Sequence, residues 1–295
     1  MKSRGKNHCC VSKNARKHGT FRRKSDSQVI QRFRCRVCKE TFSTATHQPN
    51  RGQNKRHINF RLGILLSSGV SMRRAAWILR VNHKTIARKL LFLGKEDKKK
   101  NQKMNLKGYF RVQFDELQTI EHTKLKPLSI AMAVSKDGRK ILGFRVAKMP
   151  ATGHLAKKSR KKYGVRPDER IKKLRSLFKE LRQKVSPTIQ LASDECPFYK
   201  GVVSDYFPRA TYTQFKGKKG CVTGQGELKK TGFDWLFSVN HTFAMMRSDV
   251  NRLIRKTWCT TKKIDGLVAH LNIYMDAFNH QLTPSFQKKR WGFAR

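Results

Sequence analysis

The chain has 295 residues, of which 67 are Lys or Arg and only 19 are Asp or Glu, giving a formal charge of +48 at pH 7. A surplus of that size opposes compaction unless a polyanion offsets it, and nucleic acid is the commonest polyanion in a cell, so an ordinary metabolic enzyme is excluded. A hydrophobic fraction of 38% with 18 Phe and 4 Trp exceeds what a disordered basic tail carries, and the length predicts two or three folded cores.

The first segment, 1–50, carries four of the seven cysteines: Cys9, Cys10, Cys35 and Cys38. An odd total, with Cys196, Cys221 and Cys259 scattered, does not fit a secreted disulfide framework. Met1 to Lys17 is basic with no apolar core, and no run approaches the ~18 apolar residues of a membrane span, so a cytoplasmic, nucleoid-associated protein with no membrane partner is expected. Cys35 and Cys38 form a Cys-x-x-Cys inside Phe33 to Phe42, the spacing of a zinc-ribbon knuckle, because two thiolates on a tight turn can meet one ion. Cys9 and Cys10 are adjacent, with His8 and His18 nearby, so the other half of a Zn²⁺ site is irregular. Small buried cysteines in a basic arm are the alternative.

Segment 51–94 has helical periodicity. Ile58, Leu62, Leu65 and Leu66 form a stripe that stops at Ser68-Gly69, Ser71 is placed to cap Met72 to Leu79, and a turn at Val81-Asn82 leads into Lys84 to Leu93. This is a helix-turn-helix pattern, with Ile86, Leu90, Leu91 and Leu93 facing inward and Lys84, Arg88 and Lys89 outward. Lys84, Thr85, Arg88 and Lys89 are the candidate DNA contacts, and a three-helix bundle with no ligand is the alternative. Residues 95–108, dense in charge, read as a linker.

From 109 the period becomes two. Phe110, Val112 and Phe114 alternate with Arg111, Gln113 and Asp115, which places Asp115 on the polar face at a strand end. Leu128 to Val134 and Ile141 to Val146 flank Asp137-Gly138 as a hairpin. A basic, glycine-containing stretch over 148–166 precedes a helix opening at Pro167-Asp168-Glu169 and carrying Ile171, Leu174, Leu177, Phe178 and Leu181. A fourth strand then ends in Asp194, and a late amphipathic helix covers Leu267 to Phe278. One strand-end Asp is an ordinary turn former. Two in so acid-poor a chain fit neighbouring strands of a ribonuclease-H-like sheet, where paired carboxylates hold Mg²⁺ or Mn²⁺ at a phosphodiester.

The order of knuckle, helix-turn-helix, Asp115-Glu116, Ser193-Asp194-Glu195 and Asn251-Arg-Leu-Ile-Arg-Lys256 resembles bacterial insertion-sequence transposases of the first-described insertion-element type, or a sister group, over nearly the whole chain. The resemblance implies a multidomain protein with an α/β ribonuclease-H-like catalytic domain over 109–295, a DDE-type acid set and a divalent-metal DNA strand transferase. It implies double-stranded DNA as partner and a homo-oligomer on that DNA. By position Asp115 and Asp194 match the first two acids, and Glu116 matches the neighbour in the Asp-Glu pair. The third acid is replaced by Asn240, followed by His241. A carbonyl ligand can serve there, although Asn240 is also placed to cap the helix that follows. Glu227, at a DDE-like spacing after Asp194, and then Asp249 are the substitutes. Arg252, Arg255 and Lys256 are further DNA contacts. A catalytically inactive, element-derived repressor is the rival function.

Overall fold

The computed structural model describes residues 14–46, 48–216, 234–254 and 259–280. The chain divides into two compact units, Met1–Arg61 and Leu62–Arg295.

In the first unit, β1 (Ala15–Arg22), β2 (Val29–Cys35) and β3 (Thr41–Ser43) form an antiparallel sheet in that order. Phe33 and Phe42 are cross-strand partners and stack at 5.7 Å, which fixes the β2–β3 register. Cys35 closes β2 and is fully buried, and Cys38 lies half-buried on the turn that follows. Lys39 takes φ 61° to complete that turn, and the Cys35 N–H donates to the Glu40 carbonyl at 2.9 Å. Cys9, Cys10 and His8 lie outside the described residues.

α1 (Ile58–Leu66) carries the chain out of this unit, and Gly69 ends the turn after it with φ 73°, as the Ser-Gly signal predicts. α2 (Met72–Ile78) is capped by the Ser71 hydroxyl, which accepts from the Arg74 N–H at 3.2 Å. α3 (His83–Gln102) is capped by Asn82 and continues eight residues into the predicted linker. Two ion pairs at i,i+3, Glu96–Lys99 and Asp97–Lys100, both 2.6 Å, support that second half. Its buried face is Ile86, Leu90, Gly94, Asp97 and Asn101, so the stripe has helical period but turns small and polar after Leu90. Dense charge there masks a helix. Leu91 lies off this face and is exposed, whereas Lys89, expected outward, is buried.

α3 packs on the last described helix, α8 (Ile264–His280). The contact is closest at Gly94, where a Cβ would stand 2.4 Å from the Ala269 Cα. Also on α8, His270 is fully buried and its Nε2–H donates to the Leu66 carbonyl at 2.7 Å. Burial pushes its pKa down from 6.5 to about 4. A depressed base contributes stability that is complete above 6.5 and lost as pH falls toward 4, on the order of 3 kcal/mol in all. Urea titrations at pH 7 and pH 4.5 should show this as a difference between wild type and His270→Gln, the wild type losing more stability on acidification than the variant by about that amount. An equal pH slope in the variant would refute the assignment.

The main sheet holds β4 (Arg111–Glu121), β5 (Thr123–Ser135), β6 (Ile141–Lys148), β7 (Gln190–Asp194) and β8 (Thr211–Phe215). Its order is β6-β5-β4-β7-β8: β4, β5 and β6 form an antiparallel meander, and β7 and β8 run parallel to β4. The Asp137-Gly138 hairpin forms as predicted, with Gly138 at φ 79°. Between β6 and β7 lie α4 (Leu155–Tyr163), inside the basic, glycine-containing stretch, and α5 (Arg170–Arg182). α6 (Tyr199–Tyr206) links β7 to β8, and α7 (Phe237–Asp249) precedes α8.

One sheet face buries Phe114, Phe178 and Tyr199 under α5 and α6, with Phe114 and Phe178 edge to face at 5.0 Å. The other buries Leu117, Ile130 and Met132 under α7 and α8. At the free edge of β6 the Asn279 side chain on α8 accepts from the Ile141 N–H at 2.9 Å and donates to the Ile141 carbonyl at 2.8 Å. No helix among the described residues is long and apolar enough to cross a membrane.

Candidate active site: a carboxylate pair on parallel strands

β4 and β7 pair in parallel with Val112 opposite Leu191 and Gln113 opposite Ala192. The ladder ends there, and two residues further on the strands carry Asp115 and Asp194 near enough for the Asp194 carboxylate to act on Asp115. Period-two alternation keeps each on the face of its predecessor, Gln113 or Ala192, which is the face covered by α7. Asp194 closes β7 as expected. Asp115 does not end its strand, because Leu117 continues the buried alternation and β4 runs to Glu121.

The α7-facing side of β4 is polar in sequence yet largely buried. Gln113 is buried, its Nε2 donating to the Trp235 carbonyl at 2.7 Å and its Oε1 accepting from the Val239 N–H at 3.1 Å. One side chain thus pins the start of α7 two positions before Asp115. At the other flank Phe215, the register partner of Asp194, stacks on Trp235 at 5.3 Å with the rings 1° from parallel. Neither Gln113 nor Trp235 belongs to any motif, and only the sheet register reveals them.

The electrostatics are those of a site short of positive charge. Burial, followed by the nearby Asp194 carboxylate, raises Asp115 from 3.8 to about 7. Burial also raises Asp194, whose Oδ1 is buried with no hydrogen-bond partner among the described residues. No ion pair among the described residues reaches either carboxylate, in a chain with 67 Lys and Arg. Two desolvated carboxylates side by side, one with an orphaned oxygen, fit a divalent cation held by hard oxygen ligands. Glu116 alternates to the opposite face, where burial raises its pKa, so it neighbours the pair from the other side of β4 and does not face α7.

The remaining candidates scatter. Asn240 is not the helix cap: α7 begins at Phe237, and the Asn240 amide donates to the Asp234 carboxylate at 3.0 Å, on an exposed surface. Asp234, absent from every motif, also accepts from the Leu236 N–H at 2.9 Å, closing the turn that leads into α7, whose N-cap residue Leu236 has no side-chain cap. His241 stands 3.1 Å from the Arg139 guanidinium at the β5–β6 turn, the end of the sheet away from Asp194, which removes it from the pair. Asp249 closes α7 and accepts from the Tyr274 hydroxyl at 3.4 Å. Glu227 lies outside the described residues, as do Arg255 and Lys256.

Of the proposed DNA contacts, Lys84 and Arg88 are exposed on α3 and Thr85 is half-buried. Lys89 is buried and cannot face a groove. Arg252 is half-buried, its guanidinium donating to the Met72 sulfur at 3.7 Å and so partly withdrawn from the surface. Its guanidinium also lies against Gly266, where an added Cβ would meet it at 3.3 Å.

No protein-family model matches this chain, and no curated protein matches it.

Proposed function

We propose that this chain is a DNA transposase of the insertion-sequence kind, which binds the terminal inverted repeats of its element and then nicks and joins DNA strands. The observation that carries the reading is the parallel β4–β7 pairing that brings Asp115 near Asp194, both buried enough to be raised in pKa, with no Lys or Arg ion pair to either among the described residues. Three antiparallel strands followed by two parallel ones, with the acids on the central strand and its parallel neighbour, are what a ribonuclease-H-like catalytic domain requires. The net charge of +48 supports a polyanionic substrate.

In this reading Asp115 and Asp194 hold Mg²⁺ or Mn²⁺. Bound there, the ion supplies Lewis-acid polarisation of the scissile phosphate and lowers the pKa of the attacking hydroxyl. The protein contributes fixed geometry: β4 and β7 set the carboxylate spacing, Gln113 fixes α7 over the pair, and burial leaves both acids with a deficit that a cation removes. Asn240 would complete the site with a neutral carbonyl only after its amide leaves Asp234. The N-terminal sheet would be a zinc ribbon, with Cys35 and Cys38 as one half-site and Cys9 and Cys10 from the chain preceding β1 as the other. Elemental analysis of purified protein should find about one Zn²⁺ per chain, and its absence would remove the ribbon.

α2 and α3 would form the reading helix pair, working as a homo-oligomer on nucleoid DNA. Arg88→Ala should weaken binding to an element end by about 1–3 kcal/mol while sparing random duplex. Equal losses on both duplexes would make Arg88 a phosphate contact.

The rival, a catalytically silent DNA-binding repressor derived from such an element, is favoured by the engagement of Asn240 with Asp234. Metal-dependent nicking of supercoiled DNA by the purified chain separates the two: cleavage that needs Mg²⁺ or Mn²⁺ supports the transposase, and DNA binding without cleavage supports the repressor. In the same assay Asn240→Ala should be inactive if the carbonyl is a ligand. A variant that cuts normally would exclude it.

A further inference from the structure

Helix α4 has an unusual composition for an ordered element. Five of its nine residues, Lys157, Lys158, Arg160, Lys161 and Lys162, are basic and exposed, and none forms an ion pair with a described residue. The sequence has no acid between Asp137 and Asp168. Like charges at i,i+3 and i,i+4 destabilise an isolated helix, yet α4 is held in place. Its anchor is Ser159, buried, whose hydroxyl donates to the Leu125 carbonyl of β5 at 2.7 Å. The neighbouring strand adds Lys124, exposed, and Lys126, whose ammonium sits 4.6 Å above the Tyr163 ring.

The position of this surface matters as much as its charge. β7 and β8 stop at Asp194 and Phe215, but β4 continues six residues past Asp115 and turns at His122 into β5, where α4 docks. At 3.4 Å per residue that is roughly 20 Å, or about six base pairs of duplex. A nine-residue helix is about 13 Å long and spans about four phosphates of one strand.

We propose that α4, with Lys124 and Lys126, is a second DNA-binding surface. It grips the phosphate backbone of duplex DNA about six base pairs from the point where Asp115 and Asp194 act. The proposal rests on the transposase reading for its distance from the cut, but the binding itself does not need catalysis. The contacts are to phosphate alone and carry no base preference.

The test uses the full-length protein and a random-sequence 30-bp duplex in EDTA, so that no cleavage enters. The probe variant is Lys157→Gln, Lys158→Gln, Lys161→Gln and Lys162→Gln combined, with the Lys→Arg combination as the charge-preserving control. The glutamine variant should lower the slope of log K against log salt by about 0.9 for each phosphate it no longer neutralises, about two to four phosphates in all, while the arginine variant keeps the slope. In the presence of Mn²⁺ with a nickable duplex, hydroxyl-radical protection should disappear about six base pairs from the nick. An unchanged slope in the glutamine variant would overturn the proposal. So would weakened binding to anionic phosphatidylglycerol vesicles with unchanged duplex binding, which would assign the surface to a membrane. A reduced slope in a protein that never cuts DNA would uphold α4 as a DNA surface and sink the catalytic reading alone. If the glutamine combination fails to fold, the Lys161→Gln and Lys162→Gln pair should lower the slope by about half as much, and no change there would count against the surface.

Discussion

Asp115→Asn and Asp194→Asn should each abolish Mg²⁺-dependent nicking while leaving duplex binding intact. Losing a metal held between two carboxylates removes several kcal/mol of charge stabilisation at the phosphate, on the order of a thousandfold or more in rate. The same substitution should act on stability with the opposite sign. Burial and Asp194 raise Asp115 from 3.8 to about 7, so the folded chain holds a proton that the unfolded chain has released. The Asp115 contribution to stability in metal-free buffer therefore falls as pH rises from 4 through 7, opposing the contribution that His270 gains over the same range. At pH 8 the neutral isostere escapes that penalty, and Asp115→Asn should be more stable than wild type by on the order of 2–4 kcal/mol. Mg²⁺ should raise the melting temperature of the wild type and not of the variant. A variant that still nicks, or that is destabilised at pH 8 without metal, would refute the assignment of this pair.

Gly94→Ala should destabilise the second unit by about 3 kcal/mol, and Gly94→Val should prevent it from folding. Helix propensity argues the other way, since Ala is favoured over Gly in a helix interior by about 1 kcal/mol. Sterics decide the sign here. The new Cβ would lie 2.4 Å from the Ala269 Cα and 2.6 Å from its carbonyl oxygen, backbone atoms that no rotamer change can move. Relief would require α3 to lift from α8, breaking the Asn101–Asn272 hydrogen bond of 3.1 Å. Urea denaturation measures the effect, and a stabilised Gly94→Ala protein would show that the helices pack elsewhere.

Elements with a clean apolar period were legible in the sequence. The β4 alternation, the Asp137-Gly138 hairpin, α5, α8 and the Ser71 cap fall where period and turn chemistry put them. Elements whose buried positions are polar or small were not. The second half of α3 packs through Gly94, Asp97 and Asn101, and α4 docks through Ser159, so neither carries an apolar stripe. The two aspartates could be named from the sequence, but their adjacency depends on the β4–β7 register, a pairing between residues almost eighty positions apart. The contact of Asn240 with Asp234 and the partial withdrawal of Arg252 from the surface are tertiary facts with no local signature.

The Asn279 side chain at the β6 edge has a consequence for how copies of this chain behave when crowded. Its amide offers one acceptor and one donor to the two outward-facing groups of Ile141, so it imitates the peptide of one more strand. An open edge strand is a template on which another molecule can extend a sheet, and several copies gathered on one DNA segment would meet at high local concentration. With Ile141 already satisfied from within the same chain, β6 offers no start for intermolecular pairing at that position, and association is left to surfaces other than the sheet edge there.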